Sequence, residues 1–237
     1  DFAGQVVKTV RGELSSEFRS AVMGVFRWVE GENLETDDTK PMEYRLLCQI
    51  YRLTRPGLPI PTMEFSDGAA RQFYRGWRRM EENPNGEGER AFLAMLDGQR
   101  AKIDSCARKL SRYANACRMD TGGFVITHGD AGGNFFVGDS KTYILDWDEV
   151  MYAPPERDAW VMCCRGWARE LFEKTLRENG LPYRLRPERL AFLCFHMYFF
   201  YLGEFLADIP SRDVLAKAED FMTNGWIEER LEIAETL

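Results

Sequence analysis

The sequence predicts an α+β fold in which a β-hairpin precedes a mainly helical body that is interrupted by a small β-insert. Three observations carry that expectation. Residues 5–11 (QVVKTVR) and 21–29 (AVMGVFRWV) are rich in β-branched and apolar side chains, which suit a pleated, half-covered surface. From Lys40 onward the apolar positions recur at helical spacing. Residues 124–145 then return to short apolar runs separated by glycines, and the helical pattern resumes at Asp158. Strands do not alternate one by one with helices, so a parallel βαβ series is not expected.

Each element follows from local chemistry. Gly12 with Ser15 and Ser16 gives a turn signal that would join the first two strands as an antiparallel hairpin, and Glu30, Gly31, Glu32 and Asn33 end the strand pattern. Tyr44, Leu47, Cys48, Ile50 and Tyr51 mark a helix with Pro41 near its start. Pro56, Pro59 and Pro61 impose a loop, residues 69–80 form a short helix, and residues 83–88 (NPNGEG) form another loop. Residues 89–117 read as a long helical stretch with an interruption at Gly98. Gly122 and Gly123 stop it. Residues 124–127 then read as a buried strand, and 135–137 with 142–145 as a hairpin, which Pro154 and Pro155 close off. The remaining helices break at 179–187 and near Ile209 and Pro210.

The 237 residues are 45% apolar and 13% aromatic, enough for a sizeable core. The formal charge is −7 with no Lys/Arg block, so no nucleic-acid partner is expected. None of the six cysteines forms a CxxC pair and none sits at zinc spacing, which fits reduced core residues of a cytoplasmic protein. The most apolar stretch, residues 190–206, is short for a bilayer span and contains His196 and Glu204, so a buried helix and no membrane partner are expected. His196 reads as a satisfied core histidine. Glu170 and Glu204 read as surface charge. No signal-peptide pattern is visible, and the chain starts at Asp1 rather than at Met.

Acidic and small residues concentrate in residues 126–150, ITHGDAGGNFFVGDSKTYILDWDEV. Asp130 and Asp146 each follow a short apolar run. A magnesium ion takes oxygen ligands, usually one or two carboxylates with waters and phosphates. Asn134 offers a neutral oxygen and Asp146 a charged one, which leaves Asp130 free to act on a substrate hydroxyl. Phosphoryl transfer needs this division of labour.

This segment resembles the aminoglycoside phosphotransferase and choline kinase-like family, small-molecule relatives of protein kinases, and in particular its spectinomycin-phosphotransferase-like branch. The resemblance rests on His128, Gly129 and Asp130 (HGD), on Asn134, on Leu145, Asp146 and Trp147, and on Pro154, Pro155, Glu156, Arg157 and Asp158 (PPERD). It implies a protein-kinase-like fold, with residues 1–33 as a truncated N-lobe hairpin and hinge and residues 34–237 as a helical C-lobe that carries the catalytic and metal-binding loops. It implies an ATP-dependent phosphotransferase that moves the γ-phosphoryl group to a hydroxyl of an aminoglycoside-, choline- or sugar-like molecule. The implied cofactors are ATP and Mg2+. Asp130 would be the acid/base residue, and His128 joins the catalytic set, with a backbone-bracing role preferred to proton transfer. Asn134 and Asp146 would hold the metal. The backbone of Arg27, Trp28 and Val29 would receive the adenine. Asp158 would brace the catalytic loop. Asp148 would lie near metal or substrate, or be a solvated turn carboxylate.

Two departures from the family pattern stand out. Asn134 follows Asp130 by four residues where five are usual, and Gly132 and Gly133 let the shortened loop re-form. No Gly-rich loop and no phosphate-pairing lysine strand precede the hinge, and Lys8 does not fit that lysine's position. Either the sequence is a piece of a longer chain or half of the N-lobe has been lost. The second alternative keeps a pseudoenzyme or ligand-binding module as the rival reading. A metal-dependent phosphohydrolase is disfavoured, because further clustered carboxylates and histidines are lacking.

Overall fold

The computed structural model describes residues 3–120, 122–209 and 212–236, so the expected break at Pro210 lies outside the described residues. The N-terminal hairpin pairs β1 (Ser16–Phe18) with β2 (Ala21–Met23) in antiparallel register, Ser16 opposite Met23 and Phe18 opposite Ala21. Its turn is Arg19 and Ser20, both left-handed at φ 48 and φ 64, as a two-residue turn matching strand twist requires. The expected turn at Gly12, Ser15 and Ser16 is therefore corrected. Ser16 lies in β1, and Gly12 closes a local turn by donating its N–H to the Thr9 carbonyl at 2.9 Å. Of the predicted first strand only residues 5–7 pair: Val6 bridges Phe26, Val7 N–H donates to the Val25 carbonyl, and Arg27 N–H donates to the Gln5 carbonyl.

A three-stranded antiparallel sheet has the order β3 (Glu32–Asn33), β5 (Phe135–Val137), β6 (Thr142–Ile144). A second ribbon pairs β4 (Val125–Thr127) with β7 (Met151–Ala153). Neither β3 nor β7 was expected. Both are held by backbone pairing to distant strands, which no local apolar pattern announces.

The helical body comprises α1 (Lys40–Tyr51), α2 (Gly68–Glu82), α3 (Glu87–Gly98), α4 (Arg100–Cys117), α5 (Glu156–Cys163), α6 (Gly166–Glu178), α7 (Pro187–Asp208), α8 (Arg212–Thr223) and α9 (Trp226–Thr236). The interruption near Gly98 is present at Gln99. Further breaks at Arg165 and at Asn224 and Gly225 were not expected. α7 packs against α2, α4, α5 and α9, which is why its apolar residues cover most of its circumference. Phe192, Phe195, Tyr198, Phe199 and Leu202 are buried there. α7 is long and apolar enough to cross a membrane by length and composition, but these contacts make it the core helix of the body. All six cysteines are free and buried. His196 departs from the expectation of a satisfied histidine: it stacks on Phe192 at 5.4 Å, and its Nδ1 has no hydrogen-bond partner.

Candidate active site

Two β-ribbons deliver the acidic residues. β4 ends at Thr127, so His128, Gly129 and Asp130 emerge together. Asn134 immediately precedes β5. Because Phe135 pairs with Ile144, Leu145 lies against Asn134 and donates its N–H to the Asn134 carbonyl at 3.0 Å. Asp146 is the next residue. It adopts φ 61, a left-handed conformation that costs a non-glycine residue about 1–3 kcal/mol and tends to gather at functional sites.

His128 and Asn134 join these parts. The Asn134 side-chain amide donates to the Asp130 carbonyl at 2.9 Å and to Asp130 Oδ2 at 3.0 Å, which leaves its Oδ1 as the atom able to meet a cation. His128 is fully buried. Its Nδ1 accepts the Asp130 N–H at 3.3 Å, so Nε2 carries the proton and donates to the Leu145 carbonyl at 2.8 Å. Both ring nitrogens are committed. Trp147 packs edge-on against the same ring at 4.8 Å.

Asp158, near the start of α5, lies beneath the loop. Its Oδ1 accepts the Gly129 N–H at 2.6 Å, and its Oδ2 accepts the His128 N–H at 3.3 Å and the Tyr51 hydroxyl at 3.0 Å. Burial pushes the Asp158 carboxyl above its usual range, with Arg157 and these hydrogen bonds opposing. Arg157 of the PPERD segment, for which no role was expected, donates to Thr127 Oγ1 at 3.2 Å and to Glu149 at 2.9 Å. Its guanidinium lies against Gly129, which sits at φ 99, and a Cβ there would overlap it. Asp148 is exposed in the turn before β7.

A second group missed at the sequence level is Glu35, Lys40 and Glu43. Lys40 Nζ is 2.8 Å from Glu43 Oε2 and 3.3 Å from Glu35 Oε1. A cleft of about 190 Å3 is lined by Asp130, Glu35, Lys40, Trp160, Tyr201 and Trp226. The Asp130 carboxyl is raised from its ordinary value, chiefly by desolvation and further by Glu35 and Glu149, while His128 and Asn134 oppose. Such a carboxylate is a better proton acceptor than a fully solvated one.

Arg27, Trp28 and Val29 line a separate cleft of about 360 Å3 with Gly138, Lys141 and Tyr143 of the β5–β6 turn. Gly31 and Gly138 permit this close approach, since a Cβ on either would lie under 3.0 Å from a backbone oxygen of the other segment. Glu170 lines a wider groove of about 740 Å3 between α6 and α7 that contains none of the loop residues. Among the described residues no group of three or more His, Cys, Asp or Glu side chains is placed to hold a metal. An amide oxygen and one carboxylate are a donor set suited to magnesium that completes its shell from phosphate and water.

The family model described as "Phosphotransferase enzyme family" matches residues 2–193. Solved structures of similar fold include a spectinomycin phosphotransferase in complex with ADP and spectinomycin (TM-score 0.76, 18% identity, covering 99% of this chain and 77% of that one). They include an aminoglycoside phosphotransferase from Alicyclobacillus acidocaldarius (TM-score 0.61, 14% identity, 100% and 79% covered). A choline kinase from Cryptosporidium parvum is also similar (TM-score 0.61, 11% identity, 100% and 75% covered). At these identities the likeness is one of fold, which is protein-kinase-like and α+β. No curated protein matches the chain. The fold, the matched span and the motif residues agree, and the chain belongs to the phosphotransferase enzyme family.

Proposed function

We propose that this protein transfers the γ-phosphoryl group of ATP to a hydroxyl of a small cationic molecule. The observation that carries the reading is the pair of His128 bonds, one with the Asp130 N–H and one to the Leu145 carbonyl, which holds the loop of Asp130 and Asn134 against the strand end that leads into Asp146. The acceptor hydroxyl would lie against Asp130, which takes its proton as the new O–P bond forms. The bond between the γ-phosphorus and the bridging oxygen breaks, and ADP leaves. Asn134 Oδ1 and Asp146 would hold magnesium, which when bound neutralises phosphate charge. His128 stays outside the proton path, and Asp158 braces the loop. Residues 1–33 would act as the N-lobe remnant and hinge, with the backbone of Arg27, Trp28 and Val29 facing the adenine, and residues 34–237 as the acceptor-binding body.

The acceptor class follows from the cleft beside Asp130. Glu35 supplies a carboxylate, and Trp160, Tyr201 and Trp226 supply aromatic walls, a combination that favours an ammonium group. The similar spectinomycin phosphotransferase, solved with ADP and spectinomycin, supports a nucleotide and a hydroxylated small molecule as the two ligands. The test is phosphorus NMR of the protein with Mg-ATP and a panel of hydroxylated amines and uncharged sugars. A new phosphate ester with an amine is expected. Esters with neutral sugars alone would remove the cationic-acceptor claim, and no ester together with no Mg-ATP binding would remove the transferase reading.

A further inference from the structure

Lys40 is a charged group with no evident reason to be where it is. It opens α1, where the helix N-terminus disfavours a cation, and it is only 2% exposed, where an ion is costly unless paired. Glu43, itself buried, and Glu35 supply the pairing at 2.8 Å and 3.3 Å. Burial raises the Glu43 carboxyl, with Lys40 opposing.

This ion cluster packs directly on the catalytic loop. A Cβ at Gly132 would lie 2.7 Å from Glu35 Oε1 and 3.2 Å from Lys40 Nζ. The loop's own backbone bonds are few and long: Asn134 N–H to the Ala131 carbonyl at 3.2 Å, and Phe135 N–H to the Gly132 carbonyl at 3.4 Å. The loop in which Asn134 follows Asp130 by only four positions thus packs against Glu35 and Lys40 at Gly132, while the Asn33 side-chain amide donates to the Gly133 carbonyl. Glu35 also reaches the cleft, its side chain 46% exposed.

We infer that Lys40 is a positioning residue of the transfer site. Anchored by Glu43, it fixes the Glu35 carboxylate and the backbone at Gly132, and through them sets Asp130 and Asn134. The kinetic half of this inference rests on the proposed transferase activity, and the structural half does not.

The test uses Lys40→Met and Glu35→Gln in the full chain, with Lys40→Met/Glu43→Gln as the variant that leaves no lone carboxylate in the core. Amide hydrogen exchange is read at Asn134 and Phe135 and, as a control, at Phe195 and Leu202 of α7. Exchange at least tenfold faster at the first pair, with the second pair unchanged, is expected for each variant. Transfer from Mg-ATP to spectinomycin as probe acceptor is expected to lose at least tenfold in kcat, with the KM for Mg-ATP within twofold. Wild-type exchange at Asn134 and Phe135 in all three variants overturns the inference, as does equal acceleration throughout α7. A wild-type protein that transfers nothing, with the loop exchange altered as stated, sinks the functional proposal and leaves Lys40 as the residue that sets the loop.

Discussion

The protonated Nε2 of His128 donates to the carbonyl of Leu145 at 2.8 Å, and the bond ties the loop that carries Asp130 to the strand end that carries Asp146. Since Nδ1 accepts the Asp130 N–H, the ring is a strut between two acidic residues and has no nitrogen left for a proton relay. His128→Ala should lower kcat by about tenfold to a hundredfold, the cost of a misplaced group. The shape of the pH–rate profile should be kept. Disappearance of one limb of that profile would mean that His128 carries a proton.

Asp158 predicts a coupling. Its carboxylate accepts both the Gly129 amide and the Tyr51 hydroxyl. Tyr51→Phe should cost about 1 kcal/mol in urea unfolding, and Asp158→Asn should cost more because one of the two accepting oxygens becomes an NH2 that faces a backbone N–H. The double variant should fall short of the sum by at least 0.5 kcal/mol or so, as residues of one network do. Simple additivity would show that the two side chains act separately.

Gly129 tests the floor of the loop. It combines φ 99 with direct contact to the Arg157 guanidinium. Gly129→Ala adds a strained backbone to a collision and should destabilise by about 2 kcal/mol or more. Thermal unfolding of the variant within a degree of wild type would contradict the packing described.

Much of this arrangement was legible because it depends on local pattern. Gly129, Asp130, Asn134 and Asp146 sit at strand ends, and short apolar runs beside glycines announce strand ends. The helices α1, α2 and α4 followed from apolar spacing alone. The rest required tertiary pairing. Glu32 and Asn33 read as the end of the strand pattern, yet they form β3 because Val137 and Phe136 offer them a free edge. Arg19 and Ser20 make the hairpin turn without a glycine to mark it. Glu35 and Lys40 carry no motif in sequence, Arg157 belongs to PPERD without an expected role, and only the folded chain brings the three against the loop.

The unpartnered His196 gives a pH signature. Burial lowers its pKa from 6.5 to about 4, so between those values the unfolded chain binds the proton and the folded chain does not. Its contribution is fully present above pH 6.5 and is lost as pH falls toward 4, to a total of about 3 kcal/mol. His196→Phe should flatten that part of the stability–pH curve in denaturant titrations. An unchanged slope would show that His196 is not the group responsible.

The central claim is that Asp130 receives the proton of the acceptor hydroxyl. Asp130→Asn keeps the size of the side chain and its contact with Asn134 but removes the base. Initial rates of phosphate-ester formation from Mg-ATP, compared between wild type and Asp130→Asn with the same acceptor, decide the matter. A loss of about 10²–10⁴-fold with Mg-ATP binding retained is the predicted result. A variant that keeps its rate within about tenfold of wild type would contradict the account.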